Sequence, residues 1–114
     1  MNLAGKTFRA ISNSTNGTLN TETTMTFQAE DEAGIVGTYR GGAIRTGSVV
    51  ARRKSPTAVE MLYHCITLTG ELKAGRATAR FVYGPDRQLH MHLDWQWLTG
   101  DRTKGTSDWA LVEP

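Results

Sequence analysis

The chain has 114 residues, a formal net charge of +2 and one cysteine, Cys65. This length suits one domain with one core, so we expect residues 1–114 to form a single domain. The scattered basic residues lack the stripe that nucleic acid needs. A lone cysteine excludes an internal disulfide and favours a reducing compartment. No apolar run follows Met1, and none reaches the roughly 20 residues of a spanning helix. We therefore expect a cytoplasmic protein with no signal peptide, no membrane partner and no cofactor.

The first half of the chain consists of alternating segments separated by turn residues. A first strand is predicted at 6–13, and Asn16-Gly17 is a strong hairpin signal because both residues tolerate positive φ. A threonine-rich strand at 18–29 has one face made of Leu19, Thr21, Thr23, Met25 and Phe27.

An acidic turn at 30–34 and a strand at 35–40 follow, and Gly41-Gly42 predicts a tight turn. The fourth strand is expected from Ala43 to about Arg53, with Gly47 as a bulge or bend.

The second half continues the pattern. A turn at 54–57 leads into a fifth strand at 58–68, and a short connection at 69–71 leads into a sixth strand at 72–83. Gly75 suggests a second bend in that strand. A turn at 84–87 precedes the seventh strand.

The seventh strand carries the clearest signal in the chain. Every odd position from 89 to 97 is apolar, whereas His90, His92, Asp94 and Gln96 fill the even positions. A repeat of two places these sets on opposite faces of a strand. A turn at 100–105 then predicts an antiparallel return at 106–113, in which Trp109 could face either way.

Eight antiparallel strands joined by short turns favour closure, because closure removes the exposed edges of an open sheet. The predicted fold class is therefore all-β, an eight-stranded antiparallel up-and-down barrel. The interior of such a barrel is just wide enough to be filled by side chains or to hold one small ligand.

The candidate site is an aromatic set with one possible charge anchor. Tyr39, Tyr63, Trp95 and Trp97 could line a pocket for a flat or apolar ligand, or their rings could simply fill the barrel. Arg45 is two residues before Gly47, so a regular strand would place both on the same face. Arg45 could anchor a carboxylate or phosphate if it pointed inward. The alternative places Arg45, Arg76 and Arg80 on the solvent face.

Three other groups suggest chemistry more weakly. His90, His92 and Asp94 share a strand face and have metal-ligand chemistry, but that face points outward if the tryptophans point inward. His64 and Cys65 are adjacent on a strand, so they face opposite sides and cannot form a nucleophile–base pair. The basic tip 52–54 could touch an acidic partner or be solvated.

Two segments resemble the calycin superfamily, and avidin-like barrels in particular. The run 34–39, Gly-Ile-Val-Gly-Thr-Tyr, resembles an avidin strand that carries a ligand-facing tyrosine, and 95–100, Trp-Gln-Trp-Leu-Thr-Gly, resembles the segment with a pocket-lining tryptophan. The resemblance implies that Tyr39 and Trp97 point inward. It also implies polar ligand groups on the first strand, where this chain has Phe8 and Ala10 instead, so a ureido-binding set is missing.

A second resemblance spans nearly the whole chain. Asn13-Ser14, Asn16-Gly17, Gly41-Gly42, Tyr63-His64 and Gly70-Glu71-Leu72 are similar to a family of small bacterial proteins that commonly carry the label N-acetylglutamate synthase. The label implies an acetyltransferase. The residues lack the Gln/Arg-x-x-Gly-x-Gly/Ala turn that opens a helix on the pyrophosphate of acetyl-CoA; the nearest match, 102–107, lies in a predicted hairpin.

Three functions follow from these observations. The leading one is non-catalytic binding of a small, partly apolar or aromatic ligand inside the barrel. The alternatives are an enzyme acting on a small metabolite, and a solid barrel that serves a structural role or forms a homo-oligomer.

Overall fold

The computed structural model describes residues 1–13 and 22–112, and these form a closed antiparallel barrel in which each strand pairs with the next and β8 pairs with β1. The strands are β1 (Thr7–Asn13), β2 (Thr24–Asp31), β3 (Gly34–Gly41), β4 (Ile44–Ser55), β5 (Ala58–Thr67), β6 (Leu72–Tyr83), β7 (Leu89–Trp97) and β8 (Lys104–Leu111). The eight-stranded up-and-down barrel is confirmed. The described residues contain no helix long and apolar enough to cross a membrane.

Most predicted boundaries lie within two residues of the observed ones. The sixth strand was predicted with both ends as observed, whereas β8 begins two residues earlier than the turn pattern indicated. Thr23, Met25 and Phe27 are buried on one face as predicted. The Asn16-Gly17 turn, with Leu19 and Thr21, lies outside the described residues.

One end of the barrel is filled by phenylalanines. The rings of Phe8, Phe27 and Phe81 contact one another, with centroids 5.7 to 6.5 Å apart. These residues come from three strands, and all three are almost fully buried. We call this the phenylalanine end.

The N-terminal segment seals the phenylalanine end. Leu3 is fully buried, and the amide of Gly5 donates to the carbonyl of Phe27 at 2.8 Å. The Glu30 carboxylate accepts from the amide of Leu3 and from two nitrogens of Arg53, at 2.6 to 2.8 Å. Arg53 also donates to the carbonyl of Met1 at 2.6 Å. The ion pair of Glu30 and Arg53 therefore holds the N-terminal segment, with its buried Leu3, against this end of the barrel. We call this ion pair and its hydrogen bonds to Met1 and Leu3 the clamp.

Candidate ligand-binding site

The other end of the barrel carries a second aromatic cluster. The ring of Tyr39 on β3 meets that of Tyr63 on β5 edge-on at 5.9 Å, and Tyr63 meets Trp97 on β7 at 5.3 Å. Trp95 lies two residues deeper on β7 and is 5% exposed. The four predicted aromatic residues therefore point inward together. We call this the tyrosine–tryptophan end.

Two glycines make room for the tyrosine rings. Gly47 is paired with Tyr39, and Gly75 with Tyr63, on neighbouring strands. A Cβ atom at Gly47 would lie 2.5 Å from the Tyr39 ring, and one at Gly75 would lie 2.5 Å from the Tyr63 ring. Gly47 borders a register shift, in line with the bulge or bend expected there, whereas Gly75 pairs in regular register on both sides. At both positions, the missing side chain leaves space that a tyrosine ring occupies.

Two buried polar atoms at this end lack a hydrogen-bond partner among the described residues. They are the hydroxyl of Tyr39 and the indole nitrogen of Trp95. By contrast, the Trp109 indole donates to the Ser107 hydroxyl at 2.9 Å, and the Tyr63 hydroxyl donates weakly to the Arg76 carbonyl at 3.4 Å. A buried donor left unpaired costs about 1–3 kcal/mol.

Burial raises the pKa of Tyr39, and the neighbouring Cys65 thiol contributes in the same direction. Burial also raises the pKa of Tyr63. A phenol is already neutral at physiological pH, and burial moves ionisation of both tyrosines to a still higher pH. A thiol is only a weak acceptor, so its proximity does not satisfy the Tyr39 hydroxyl.

Lys73 lies at the rim of the tyrosine–tryptophan end. Its ammonium nitrogen is 4.0 Å from the centroid of the Trp97 ring. A cation over an indole face is attracted to the ring quadrupole. The outermost ring of the cluster is thus covered by a charged side chain from β6.

The interpretation of Arg45 as an inward charge anchor was wrong. Arg45 is exposed, and its guanidinium donates to the carbonyl of Leu68 at 3.3 Å. The register shifts between Ile44 and Thr46. This bulge breaks the alternation that gave Arg45 the parity of Gly47. Arg76 and Arg80 are exposed, in agreement with the solvent-face alternative.

The histidine row lies on the outer face of the barrel. His92 contacts the Asp108 carboxylate at 2.6 Å, and the other oxygen of Asp108 accepts from Ser12 at 3.1 Å. Partial burial opposes ionisation of Asp108, but these hydrogen bonds prevail and lower its pKa. His90 pairs with Asp86 instead. The described residues contain no group of three metal-binding side chains.

The two remaining sequence signals have structural explanations. Cys65 is buried and His64 is exposed, so they face opposite sides as predicted. Within the basic tip, Arg52 lies 3.5 Å from Glu60 on the surface, whereas Arg53 belongs to the clamp on the N-terminal segment. Sequence reasoning missed this role of Arg53 because its partner, Glu30, lies 23 residues earlier in the chain, near the end of β2.

A groove with a volume of about 730 Å³ crosses the outer face of β4 to β7. Its apolar surface includes Val50 and Leu62, which are paired on neighbouring strands and are each more than half exposed. Charged side chains of both signs border these residues: Arg52, Glu60, Arg76, Asp94 and Lys104. Among these residues, the sequence predicted an outward position for Asp94 and, as one alternative, for Arg76, but it did not show that a groove forms here.

Comparison with known proteins agrees with this architecture. The family model described as avidin-like protein matches residues 1–112. The chain belongs to the avidin-like family. No curated protein and no solved structure matched the chain. The family assignment is consistent with small-ligand binding in a calycin-type barrel.

Proposed function

We propose that this avidin-like barrel binds a small, partly aromatic or apolar ligand at its tyrosine–tryptophan end, without catalysis. Tyr39, Tyr63, Trp95 and Trp97 form the walls. Large rigid rings give a ligand extensive contact area at low entropic cost. Arg45 is not part of the proposed site because its side chain lies on the outer surface.

The observation that carries this proposal is the pair of buried, unpartnered donors on Tyr39 and Trp95. Rings that served only to fill the barrel could be phenylalanines, as they are at the opposite end. Polar atoms buried without partners cost stability in the free protein. A ligand that accepts hydrogen bonds from Tyr39 and Trp95 would offset this loss of stability. Ligand binding therefore explains why tyrosine and tryptophan, and not phenylalanine, occupy these positions.

Thermal unfolding of the intact protein against a library of flat metabolites tests the proposal. A ligand at 100 times its dissociation constant adds about 2.7 kcal/mol to the stability of the native state. For a domain of this size, the melting temperature should rise by on the order of 10 °C. Tryptophan fluorescence should change with the same ligand, since two indoles form the walls.

A matched pair of variants locates the site. Tyr39→Phe should weaken binding, whereas Tyr83→Phe should not, because Tyr83 is 72% exposed on the outer surface. Absence of any stabilising compound across a broad library would contradict the proposal. In the same preparation, formation of acetylglutamate from glutamate and acetyl-CoA would instead support the activity implied by the label N-acetylglutamate synthase.

Self-association is a second candidate function, favoured by a row of exposed apolar residues. Val36, Val50 and Leu62 are paired across β3, β4 and β5, and each is about half exposed. The groove beside them carries both charge signs, so two copies related by a twofold axis could pair opposite charges. Contiguous exposed apolar surface often marks an interface.

Sedimentation velocity distinguishes this candidate. Leu62→Glu should convert an oligomer into a monomer, because it buries a charge in the proposed interface. Val82→Glu is the control, since Val82 is equally exposed but lies near the phenylalanine end. A wild-type protein that stays monomeric at high concentration would rule out this function.

A further inference from the structure

The two unpartnered donors are carried by opposite walls of the barrel. Tyr39 lies on β3 and Trp95 on β7. In a closed ring of eight strands, these strands are four positions apart in either direction. A ligand that reaches both donors must therefore offer a partner atom on each of two opposite edges.

Both groups act as donors. The indole N–H of Trp95 has no capacity to accept. The phenol of Tyr39 is protonated at neutral pH, so it offers an O–H as well as oxygen lone pairs that can accept. Its proton therefore needs an acceptor, and the adjacent thiol is a weak one.

No charged side chain is buried among the described residues, and the cation nearest to the ring cluster, Lys73, lies at its rim over Trp97. Besides the aromatic residues and Cys65, the buried polar side chains among the described residues are Thr23, Thr67 and Ser107, and none of these three carries a charge. Thr23 donates to the carbonyl of Gly41 at 3.1 Å, and Ser107 accepts from Trp109 at 2.9 Å. An ionised ligand group placed here would be desolvated without a counter-charge, which is strongly unfavourable.

We propose that the barrel selects an uncharged, flat ligand with acceptor oxygens on opposite edges and no N–H or O–H directed at the Trp95 indole. This inference rests on the proposed function and specifies its ligand class. A cyclic ketone with an ether oxygen opposite its carbonyl has this pattern. A ligand N–H directed at the Trp95 indole would leave two donors facing each other and would be rejected.

Three bicyclic compounds of matched shape test the inference by titration calorimetry on the intact protein. Chromone has a carbonyl and an ether oxygen on opposite edges of one ring. In 4-quinolone an N–H replaces the ether oxygen, and in naphthalene both polar groups are absent. We expect chromone to bind at least about tenfold more tightly than the other two, since a neutral hydrogen bond is worth about that factor.

Two variants show whether the named donors cause the preference. Tyr39→Phe and Trp95→Phe should each reduce chromone affinity about tenfold and leave naphthalene affinity within a factor of about two. Tyr39→Phe removes one oxygen from a ring of the same shape, so it remains informative if Trp95→Phe fails to fold. Tyr83→Phe is the surface control and should change neither affinity.

The outcomes separate this inference from the proposed function. Equal binding of the three compounds would overturn the acceptor inference while supporting an apolar ligand site. Binding of only 4-quinolone, or no binding of chromone when the metabolite library yields another ligand, would also overturn it. No binding by any compound in either experiment would overturn both proposals.

Discussion

The two ends of the barrel contain aromatic clusters of similar ring spacing but different chemistry. At the phenylalanine end, the three rings carry no polar atoms, and a clamped N-terminal segment covers them. At the tyrosine–tryptophan end, the rings carry hydroxyl and indole groups, two of which lack partners among the described residues. The comparison indicates a division of roles, in which the first end stabilises the fold and the second retains unpaired polar atoms that a ligand can use.

The largest expected effect is a loss of stability at the phenylalanine end. Phe27→Ala should lower the free energy of unfolding by about 3–5 kcal/mol, because it removes a ring that contacts two others and leaves a cavity. Urea denaturation measures this change. Val36→Ala, at a half-exposed position on β3, should change stability by less than about 1 kcal/mol. Similar losses for both variants would contradict the proposed stabilising role.

Filling the space that Gly75 leaves for a tyrosine ring should give the next largest loss of stability. Gly75→Ala should destabilise the protein by about 1–3 kcal/mol, because its Cβ would overlap the Tyr63 ring. The same change in a Tyr63→Leu background should cost less, since the overlapping ring atoms are gone. Additive effects in this double-mutant cycle would show that the ring does not rest on Gly75.

The clamp on the N-terminal segment should make stability depend on pH. The hydrogen bonds from Arg53 have the largest effect on the Glu30 carboxyl and hold its pKa below the ordinary value of 4.5, although burial opposes them; the amide of Leu3 and the charge of Arg53 add to the lowering. A lowered folded-state pKa gives stability that is present above 4.5 and is lost as pH falls through the folded-state pKa.

Denaturation curves recorded between pH 7 and pH 3 measure this dependence. Glu30→Gln should remove about 1–2 kcal/mol at pH 7, the worth of charge-assisted hydrogen bonds. Its stability should then fall less steeply with acid than that of the wild type. Parallel pH profiles for the two proteins would contradict a contribution from Glu30.

The smallest expected change in stability comes from removing the hydroxyl of Tyr39 or Tyr63, and its sign should differ between the two. Tyr39→Phe should leave the stability of the free protein unchanged or raise it by up to about 1 kcal/mol, because it removes a buried hydroxyl that lacks a partner. Tyr63→Phe should instead cost a few tenths of a kcal/mol, since the Tyr63 hydroxyl donates to Arg76. A clear loss of stability in Tyr39→Phe would show that its hydroxyl is satisfied.

The sequence predicted the fold well because alternation with a period of two is a local signal. The odd positions from Leu89 to Trp97 are all buried, as their spacing requires. The prediction that Arg45 faces the same side as Gly47 failed because a bulge between Ile44 and Thr46 separates them, and a single extra residue reverses the facing of a side chain. Trp109, whose facing the pattern left open, is fully buried.

Features that depend on contacts between distant segments could not be predicted from local patterns. The clamp joins Glu30 to Arg53 and to the backbone of residues 1–3, and no spacing rule connects these positions. The absence of partners for Tyr39 and Trp95 is likewise a property of the assembled interior. The candidate wall residues were accessible from sequence, but the donor pattern that specifies a ligand was not.

The pairing of β1 with β8 has a consequence for the order of the chain. The amide of Val112 donates to the carbonyl of Thr7 at 2.8 Å, so the first and last strands are hydrogen-bonded neighbours. Every other ladder joins consecutive strands. A circularly permuted protein, with a short linker between the original termini and a new start in the turn at Pro56-Thr57, would retain every ladder. The barrel then serves as a scaffold whose terminal fusions can be moved around the phenylalanine end, from the junction of β1 and β8 to the turn between β4 and β5.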